Sequence, residues 1–551
     1  MIYGAAMLAT PFPTVRAPAR VALLLCLVVP LGFGFLALAL GQDANWDLRN
    51  YHWYNAYRYL TGRLDTDLGA STPYNPLLDV PLYLGGTLLP AQVFSFLLGC
   101  VHGLNYVLLY VLARHVLTPV AEPNRTWAAA VIALCGVLGG GHIGLVGTSF
   151  HDNVVSLAII GSMIAVVSAP AQVFRGMSWH GFARVGAAGV LLGLGVGLKL
   201  PTITFAVGLC FAFLLVAGTF WRRMFLAFWF GIGIIAGMAA SCGFWMLHLW
   251  QEYQNPIFPY FNNVFKSPLG LQSGNRDMAY VPKTFLDGLI FPLRFSFDSR
   301  KVGEVDFRDF RILAGYLALL ATPVILLLRR GVPTAPLVDN LAARYAITAG
   351  ALSFAVWVPL FGIYRYIIPL EMLAPLIVVA VVGLWPLAAK TRAILAGAIL
   401  SFVTLTAWPG SWIRLPAWTG KMVEVTAPPV PDPAHTMILM VGLEPLSYVI
   451  PSLPPEMPVL RLQGYFTDPK DDTGMNRLIR ARLAAHAGPL YLLSAAWDRD
   501  AVNTVLPQFG LSADFAACGQ VVSNLQPPPE EAMRISLCPV TRTGAGQANP
   551  S

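Results

Sequence analysis

The sequence predicts an all-α polytopic membrane protein of about eleven transmembrane helices, carrying a small C-terminal α/β domain on its extracytoplasmic side. Three observations predict it. Of the 551 residues, 56% are hydrophobic and only 12% are charged, against roughly 25% charged in an average soluble domain. The mean hydropathy is +0.62. The apolar residues also gather into stretches of about 20, the length a helix needs to cross hydrocarbon, until residue 410, after which Pro and polar residues increase. A soluble globular enzyme, a disordered chain, a collagen and a disulfide-stapled module are all excluded by these values. The 14 Trp, 19 Tyr and 31 Phe suit a protein with two lipid–water interfaces to anchor.

The candidate spans, in chain order, are 20–41, 92–113, 127–147, 150–169, 185–199, 202–220, 224–246, 311–328, 345–363, 368–388 and 393–409. The first is too long an apolar run for a signal peptide. The stretch 185–220 is divided into two because Lys199-Leu200-Pro201 interrupts it. Charge supports that division. Arg16 and Arg20 precede span 1, Arg114 and Arg125 follow span 2, and Arg175 and Arg184 follow span 4. Arg222 and Arg223 follow span 6, Arg329, Arg330 and Arg344 follow span 8, and Lys390 and Arg392 follow span 10. With eleven spans all of these fall on one side, which the positive-inside rule makes cytoplasmic. The expected location is a bacterial plasma (inner) membrane, with the N-terminus cytoplasmic. The net charge of +8 is assigned to this asymmetry rather than to nucleic acid, since no basic run interleaved with aromatics occurs.

Residues 1–410 are thus expected to form the membrane domain, with outer loops 42–91 and 247–310, and 411–551 the outer domain. The tail holds β-like runs at 436–441 and 490–494 and a helix-like stretch at 476–486. Cys518 and Cys538 lie there, either bridged in an oxidising compartment or as two buried thiols. No internal repeat of the kind that builds many transporters is apparent.

Polar groups concentrate at three outer places. The first loop opens with a cluster holding Asp43, Asp47, Tyr51, His52 and Tyr54. Asp43 and Asp47 are four apart and would share one face of a helix. Carboxylates amid aromatics suit a sugar, whose apolar face stacks on rings and whose hydroxyls donate to carboxylates; an interfacial aromatic belt is the other reading. His151 and Asp152, at the outer ends of spans 3 and 4, offer metal or acceptor ligands, or a helix cap. Lys199 and Arg365 stand on the outer side against the charge rule. A charge at a helix centre costs about 2.5–3.5 kcal/mol, so each calls for an anionic partner such as a phosphate headgroup, or snorkels to water.

The basic residues of loop 247–310 and Arg311 read mostly as solvated surface. Gly139-Gly140-Gly141 and Gly193-Leu194-Gly195-Val196-Gly197 read as close helix packing, not as nucleotide loops. His102 with Asn105 reads as an interhelical contact. P-loop, HExxH and GxSxG patterns do not occur.

These features resemble the GT-C superfamily, the multispanning glycosyltransferases that use polyprenyl-phosphate-linked sugars. The match is Asp47-Leu48-Arg49-Asn50-Tyr51, then Ala56 and Gly62, just after span 1. Tyr74-Asn75-Pro76-Leu77-Leu78-Asp79-Val80-Pro81 is similar to the proline-bearing run entering their second span. Gly193 to Lys199-Leu200-Pro201 and Asn255-Pro256-Ile257-Phe258-Pro259-Tyr260-Phe261 add to it, so the likeness covers most of 20–410. Many members have Glu after the first Asp, where this chain has Leu48.

The resemblance implies a polyprenyl-phosphate sugar donor lodged between helices and an extracytoplasmic glycan, lipid or protein acceptor. On it, Asp47 or Asp43 is the catalytic acid–base group, and Lys199 and Arg365 bind the donor phosphate. Tyr51, His52, Tyr54, His151 and Asp152 are expected to face the sugar or acceptor. A divalent metal is compatible with the sequence but not required by it. The alternative is a transporter or flippase of a lipid-linked sugar.

Overall fold

The computed structural model describes residues 17–176, 178–329, 334–526 and 534–543, so Arg16 and Arg330 lie outside the described residues. Each apolar stretch forms a helix. In order these include α1 (Ala17–Leu40), two short helices α2 (Trp53–Leu60) and α3 (Asp79–Leu88), α4 (Ala91–Val116) and α5 (Asn124–Val137). Then come α6 (Asp152–Val167), α7 (Trp179–Leu198), α8 (Ile203–Val216) and α9 (Phe220–Tyr253). The set closes with α10 (Arg311–Leu328), α11 (Asn340–Leu360), α12 (Ile368–Leu384) and α13 (Ala389–Leu405).

Seven of them are long and apolar enough to cross a membrane: α1, α4, α7, α9, α10, α11 and the segment Tyr364–Leu384 that holds α12. The chain is a multi-pass membrane protein. The expected spans at 127–147, 150–169, 202–220 and 393–409 are shorter helices of 14, 16, 14 and 17 residues. Glycines cause the first shortening: α5 stops before Gly139-Gly140-Gly141, and the chain turns into a separate one-turn helix, Gly140–Gly144.

Burial sorts the helices. The Tyr364–Leu384 segment has 89% of its apolar window buried, so α12 is the central post of the bundle. The windows of α1, α9 and α10 are 28% buried and present most of their apolar surface outward, as lipid-facing helices do. α7 and α9 meet through glycines. A Cβ on Gly193 would lie 2.2 Å from the Ile234 carbonyl oxygen, and one on Gly237 2.1 Å from that of Val190. The glycines near 193–197 therefore permit close backbone approach. α7 ends at Leu198, and a single 3₁₀ turn, Leu200–Thr202, restarts the chain as α8.

The C-terminal sheet is mixed. It has the order β3 (Val425–Thr426), β8 (Gly519–Ser523), β9 (Ile535–Arg542), β6 (Leu490–Ala495), β4 (Met437–Met440), β5 (Val459–Arg461), with β7 (Leu511–Ala513) also on β9. β4 pairs in parallel with β5 and β6, and helix α14 (Gly474–Ala485) makes the crossover between those two. All four β4 residues are buried, as expected of a strand covered on both faces. A disulfide joins Cys518 and Cys538.

This domain and the first outer loop share a core. Trp53, Tyr54 and Leu82 of the loop pack with Ile438, Val459 and Leu493. Leu68 adds a parallel bridge to Leu460 at the β5 edge. A two-residue pairing, β1 (Gln42–Asp43) with β2 (Arg414–Leu415), ties the end of α1 to the segment after α13.

Candidate active site

Six segments meet beside the C-terminal domain. The first is a helix whose opening residues include Trp46 and Asp47, which widens into a π-turn over Leu48–His52 before α2. Such turns often mark functional positions. Asp47 is 8% exposed. Its Oδ2 lies 3.2 Å from Arg365 Nη1. Arg365 enters from the 3₁₀ turn Tyr364–Ile367 ahead of α12 and rests on the Phe150 ring, 4.1 Å from its centroid. The same guanidinium reaches Asp152 Oδ2 at 4.0 Å and Glu304 Oε1 at 3.7 Å.

Lys199, at the break between α7 and α8, completes the cluster. Its ammonium sits 2.7 Å from Asp152 Oδ1 and donates to the Phe150 carbonyl at 2.5 Å. Lys199 is therefore held inside the site and does not snorkel. Asp152 is buried at the first position of α6 but caps nothing; the N-cap residue is His151, without a side-chain cap bond. His151 has φ +63°, in the left-handed region. That conformation costs an L-residue roughly 1–2 kcal/mol, and it places Nε2 2.8 Å from Asp79 Oδ1.

Asp79, at the start of α3, receives a second imidazole, His52 Nδ1, at 2.6 Å. Burial drives its carboxyl up to about 6, against the opposing bond to His151. Burial also drives His52 down to about 3, so that imidazole is neutral. At Asp47 burial pushes upward too, but the Arg365 charge, with His52 and Tyr51 beside it, holds the carboxyl below its ordinary value. His52, Asp79 and His151 each offer one ligand atom, all within 4.8 Å of one another. Two imidazoles and a carboxylate form a donor set that zinc accepts, and His52 Nε2 is buried without a partner. These three are the residues that would hold a divalent ion.

Donors also remain free. Arg365 Nε is buried and unpartnered, as is the Asp152 Oδ2 acceptor. The Lys199 ammonium has three protons; it meets Asp152 and the Phe150 carbonyl, and the Tyr366 ring centroid lies 5.6 Å away. The arrangement can take an anionic, multiply accepting group beside an ionised carboxylate.

The structure brings together Asp47, Tyr51, His52, His151, Asp152, Lys199 and Arg365 of the expected residues. Two stand apart. Asp43 lies on β1, not on a helix with Asp47, so the expected shared face does not exist. Its oxygens are occupied by Asn45 Nδ2 at 2.7 and 2.9 Å and by the Ser149 N–H at 2.8 Å. Those bonds brace the turn ahead of the Asp47 helix against the Ser149 backbone. Tyr54 faces the shared core, where its hydroxyl donates to Asp67 at 2.5 Å; Arg63 clamps the same carboxylate through two bonds. Arg311 is not solvated either. It is fully buried, paired with Asp309, and donates to the Cys135 and Leu138 carbonyls. Asp79 and Glu304 were missed as site residues.

No protein-family model matches the sequence, and no curated protein matches it. Among solved structures the chain is similar to ArnT from Cupriavidus metallidurans bound to undecaprenyl phosphate, at 12% identity and TM-score 0.49, over 97% of this chain and 100% of that one. It is also similar to the Archaeoglobus fulgidus oligosaccharyltransferase in its apo form, at 11% identity and TM-score 0.44, over 88% of this chain and 70% of that one. A structure of AglB from the same organism, in complex with an inhibitory peptide and a dolichol-phosphate, gives 11% and 0.42, over 86% and 70%. At these values the similarities describe overall shape only.

Proposed function

We propose that this protein is a membrane glycosyltransferase that moves a sugar from a polyprenyl-phosphate donor to an acceptor hydroxyl on the side of the C-terminal domain. The observation that carries the reading is the 3.2 Å contact of the Asp47 carboxylate with Arg365, in a buried cluster that keeps unpartnered donors. Asp47 takes the acceptor hydroxyl proton as general base. The acceptor oxygen forms the new bond to the anomeric carbon while that carbon's bond to phosphate oxygen breaks. The electron pair leaves with polyprenyl phosphate, whose growing negative charge meets Lys199 and Arg365. One displacement inverts the anomeric centre. Asp152 holds the Lys199 ammonium at 2.7 Å and so keeps the phosphate site in place.

The test is Asp47→Asn in purified protein, with a polyprenyl-phosphate sugar and acceptor from the same cells. Transfer should fall by about 10²–10⁴-fold, with a drop in melting temperature but retained folding, since Arg365 loses one carboxylate and keeps Asp152 and Glu304. Undiminished transfer removes Asp47 from this role. Movement of the lipid-linked sugar without a new glycosidic bond replaces the enzyme by a transporter.

A further inference from the structure

A cavity of about 250 Å³ opens between the outer loops and the C-terminal domain, away from the Lys199 ammonium. One wall comes from Ser71 and Pro73 of the first outer loop, a second from Phe258 and Asn275 of the loop after α9, and a third from Tyr465 and Phe466. A narrower recess adjoins it. The two share Ser71, Tyr465 and Thr467, and the recess ends on Asn50 and Thr72. Asn50 is three positions beyond Asp47 on the same helix, so the recess leads from the cavity toward the candidate base.

The lining has an acceptor-site chemistry that the transfer reaction does not itself use. Thr72 is 1% exposed and Thr467 6% exposed, and neither hydroxyl has a hydrogen-bond partner. An unpaired buried hydroxyl is costly, and a hydroxyl-bearing ligand would recover that cost. Tyr465 and Phe466 are 55% and 43% exposed. The Tyr465 ring packs edge-on against Trp46 at 4.9 Å, Trp46 reaches Tyr51 at 6.5 Å, and Tyr51 meets Tyr74 at 4.8 Å. Rings thus continue from the mouth to the neighbour of Asp47.

Charge narrows the ligand. Asp468 and Asp471 line the cavity. Two arginines border it: Arg58 donates to the Leu64 carbonyl and keeps a buried Nε without a partner, and Arg461, in the recess, donates to the Gly442 and Glu444 carbonyls. Two arginines against two aspartates leave the lining without net charge, which favours an uncharged acceptor over a phosphorylated or acidic one. A peptide would want an open strand edge, and the nearest one, β5, is closed by Leu68. We infer that this cleft binds the end of an uncharged saccharide chain, the rings stacking on its sugars and the two threonines, Asn275 and the carboxylates taking its hydroxyls. The inference rests on the transferase reading and gives its acceptor a class.

The experiment measures binding without donor, so that it does not depend on turnover. Full-length protein in lipid nanodiscs is presented with neutral oligosaccharides, phosphorylated oligosaccharides and unmodified peptides, and affinity is read by tryptophan fluorescence. Neutral oligosaccharides should bind, and Phe466→Ala and Tyr465→Ala should each weaken binding by about tenfold. Both residues are exposed, so the variants should melt with the wild type. Binding confined to phosphorylated chains or peptides, binding unmoved by both variants, or no binding across the panel overturns the inference. The two readings fail separately. Neutral-glycan binding by a protein that transfers nothing supports the cleft and rejects only the transferase. Transfer with an acceptor KM unchanged in Phe466→Ala rejects only the cleft.

Discussion

Two carboxylates of this site sit in opposite environments. Asp47 faces the Arg365 guanidinium and is held below the ordinary carboxylate value despite its burial. Asp79 is raised to about 6 by burial, although His151 opposes that shift. Asp47 is therefore the carboxylate that is ionised throughout the neutral range. Its folded value lies below the unfolded one, so its charge adds stability above about pH 3.9 and loses that contribution as pH falls further. The acid limb of kcat/KM for sugar transfer should accordingly have its midpoint below about pH 4. A limb near pH 6 would move the essential ionisation to Asp79. At this scale the sequence exposes part of the site and hides part. Lys199 and Arg365 stand out because they are cations on the side that the charge rule leaves poor in them. Asp47 stands out by its aromatic surroundings. The partners of Asp79 lie 27 and 72 residues away, and no spacing rule links them. Asp43 has similar neighbours in the sequence, but its carboxylate accepts from Asn45 and from the Ser149 N–H, contacts no spacing rule shows. Glu371 carried a signal that went unused. It is a carboxylate inside an apolar stretch, fully buried, accepting the Gly141 and His142 N–H groups, and intramembrane acids rarely lack a task.

Helices were the most legible elements, because lipid permits no other open backbone and the apolar runs mark them directly. Their ends were less so. The break at Lys199 was visible through Pro201, whereas the stop of α5 depends on what packs there: a Cβ on Gly139 would lie 1.8 Å from Glu371 Oε1. Only the fold brings that oxygen near. The close pairing of α7 with α9 makes a sharper claim about glycine. A Cβ on Gly193 would meet the Ile234 carbonyl oxygen at 2.2 Å, backbone that cannot turn aside, whereas one on Gly231 meets nothing within 4 Å. Gly193→Ala should then lower stability by about 1–3 kcal/mol through overpacking. Gly231→Ala should be neutral or slightly stabilising, since alanine is the better helix former. Thermal unfolding of the two variants in the same detergent checks this. Equal melting temperatures would show that the two helices part without cost.

On the scale of the whole molecule, the C-terminal domain acts as part of the site's scaffold. Arg49, on the Asp47 helix, pairs with Glu444 at 2.7 Å, and Arg63 and Asp67 reach Met457 and Val459 in that domain. The Asp47 cluster and the sheet therefore lie on one side of the helix bundle. On the opposite ends of the helices, Arg222 donates to the Val173 carbonyl and Arg392 to those of Gly383 and Ala335, so arginines that the charge rule counts also tie helix ends together. This arrangement makes topology decisive for the chemistry. If those arginines are cytoplasmic, the sheet and Asp47 face outward, where ATP and nucleotide sugars are absent and a lipid-linked donor is required. Single cysteines at exposed positions on either side decide it: Gln520→Cys on β8 and His180→Cys at the start of α7, each in a chain whose five unpaired cysteines are replaced by Ala or Ser. In intact cells a membrane-impermeant maleimide should label Gln520→Cys and spare His180→Cys, which reacts only after permeabilisation. The reverse pattern would set Asp47 in the cytoplasm among soluble activated sugars, and the need for a polyprenyl-phosphate donor would vanish with it.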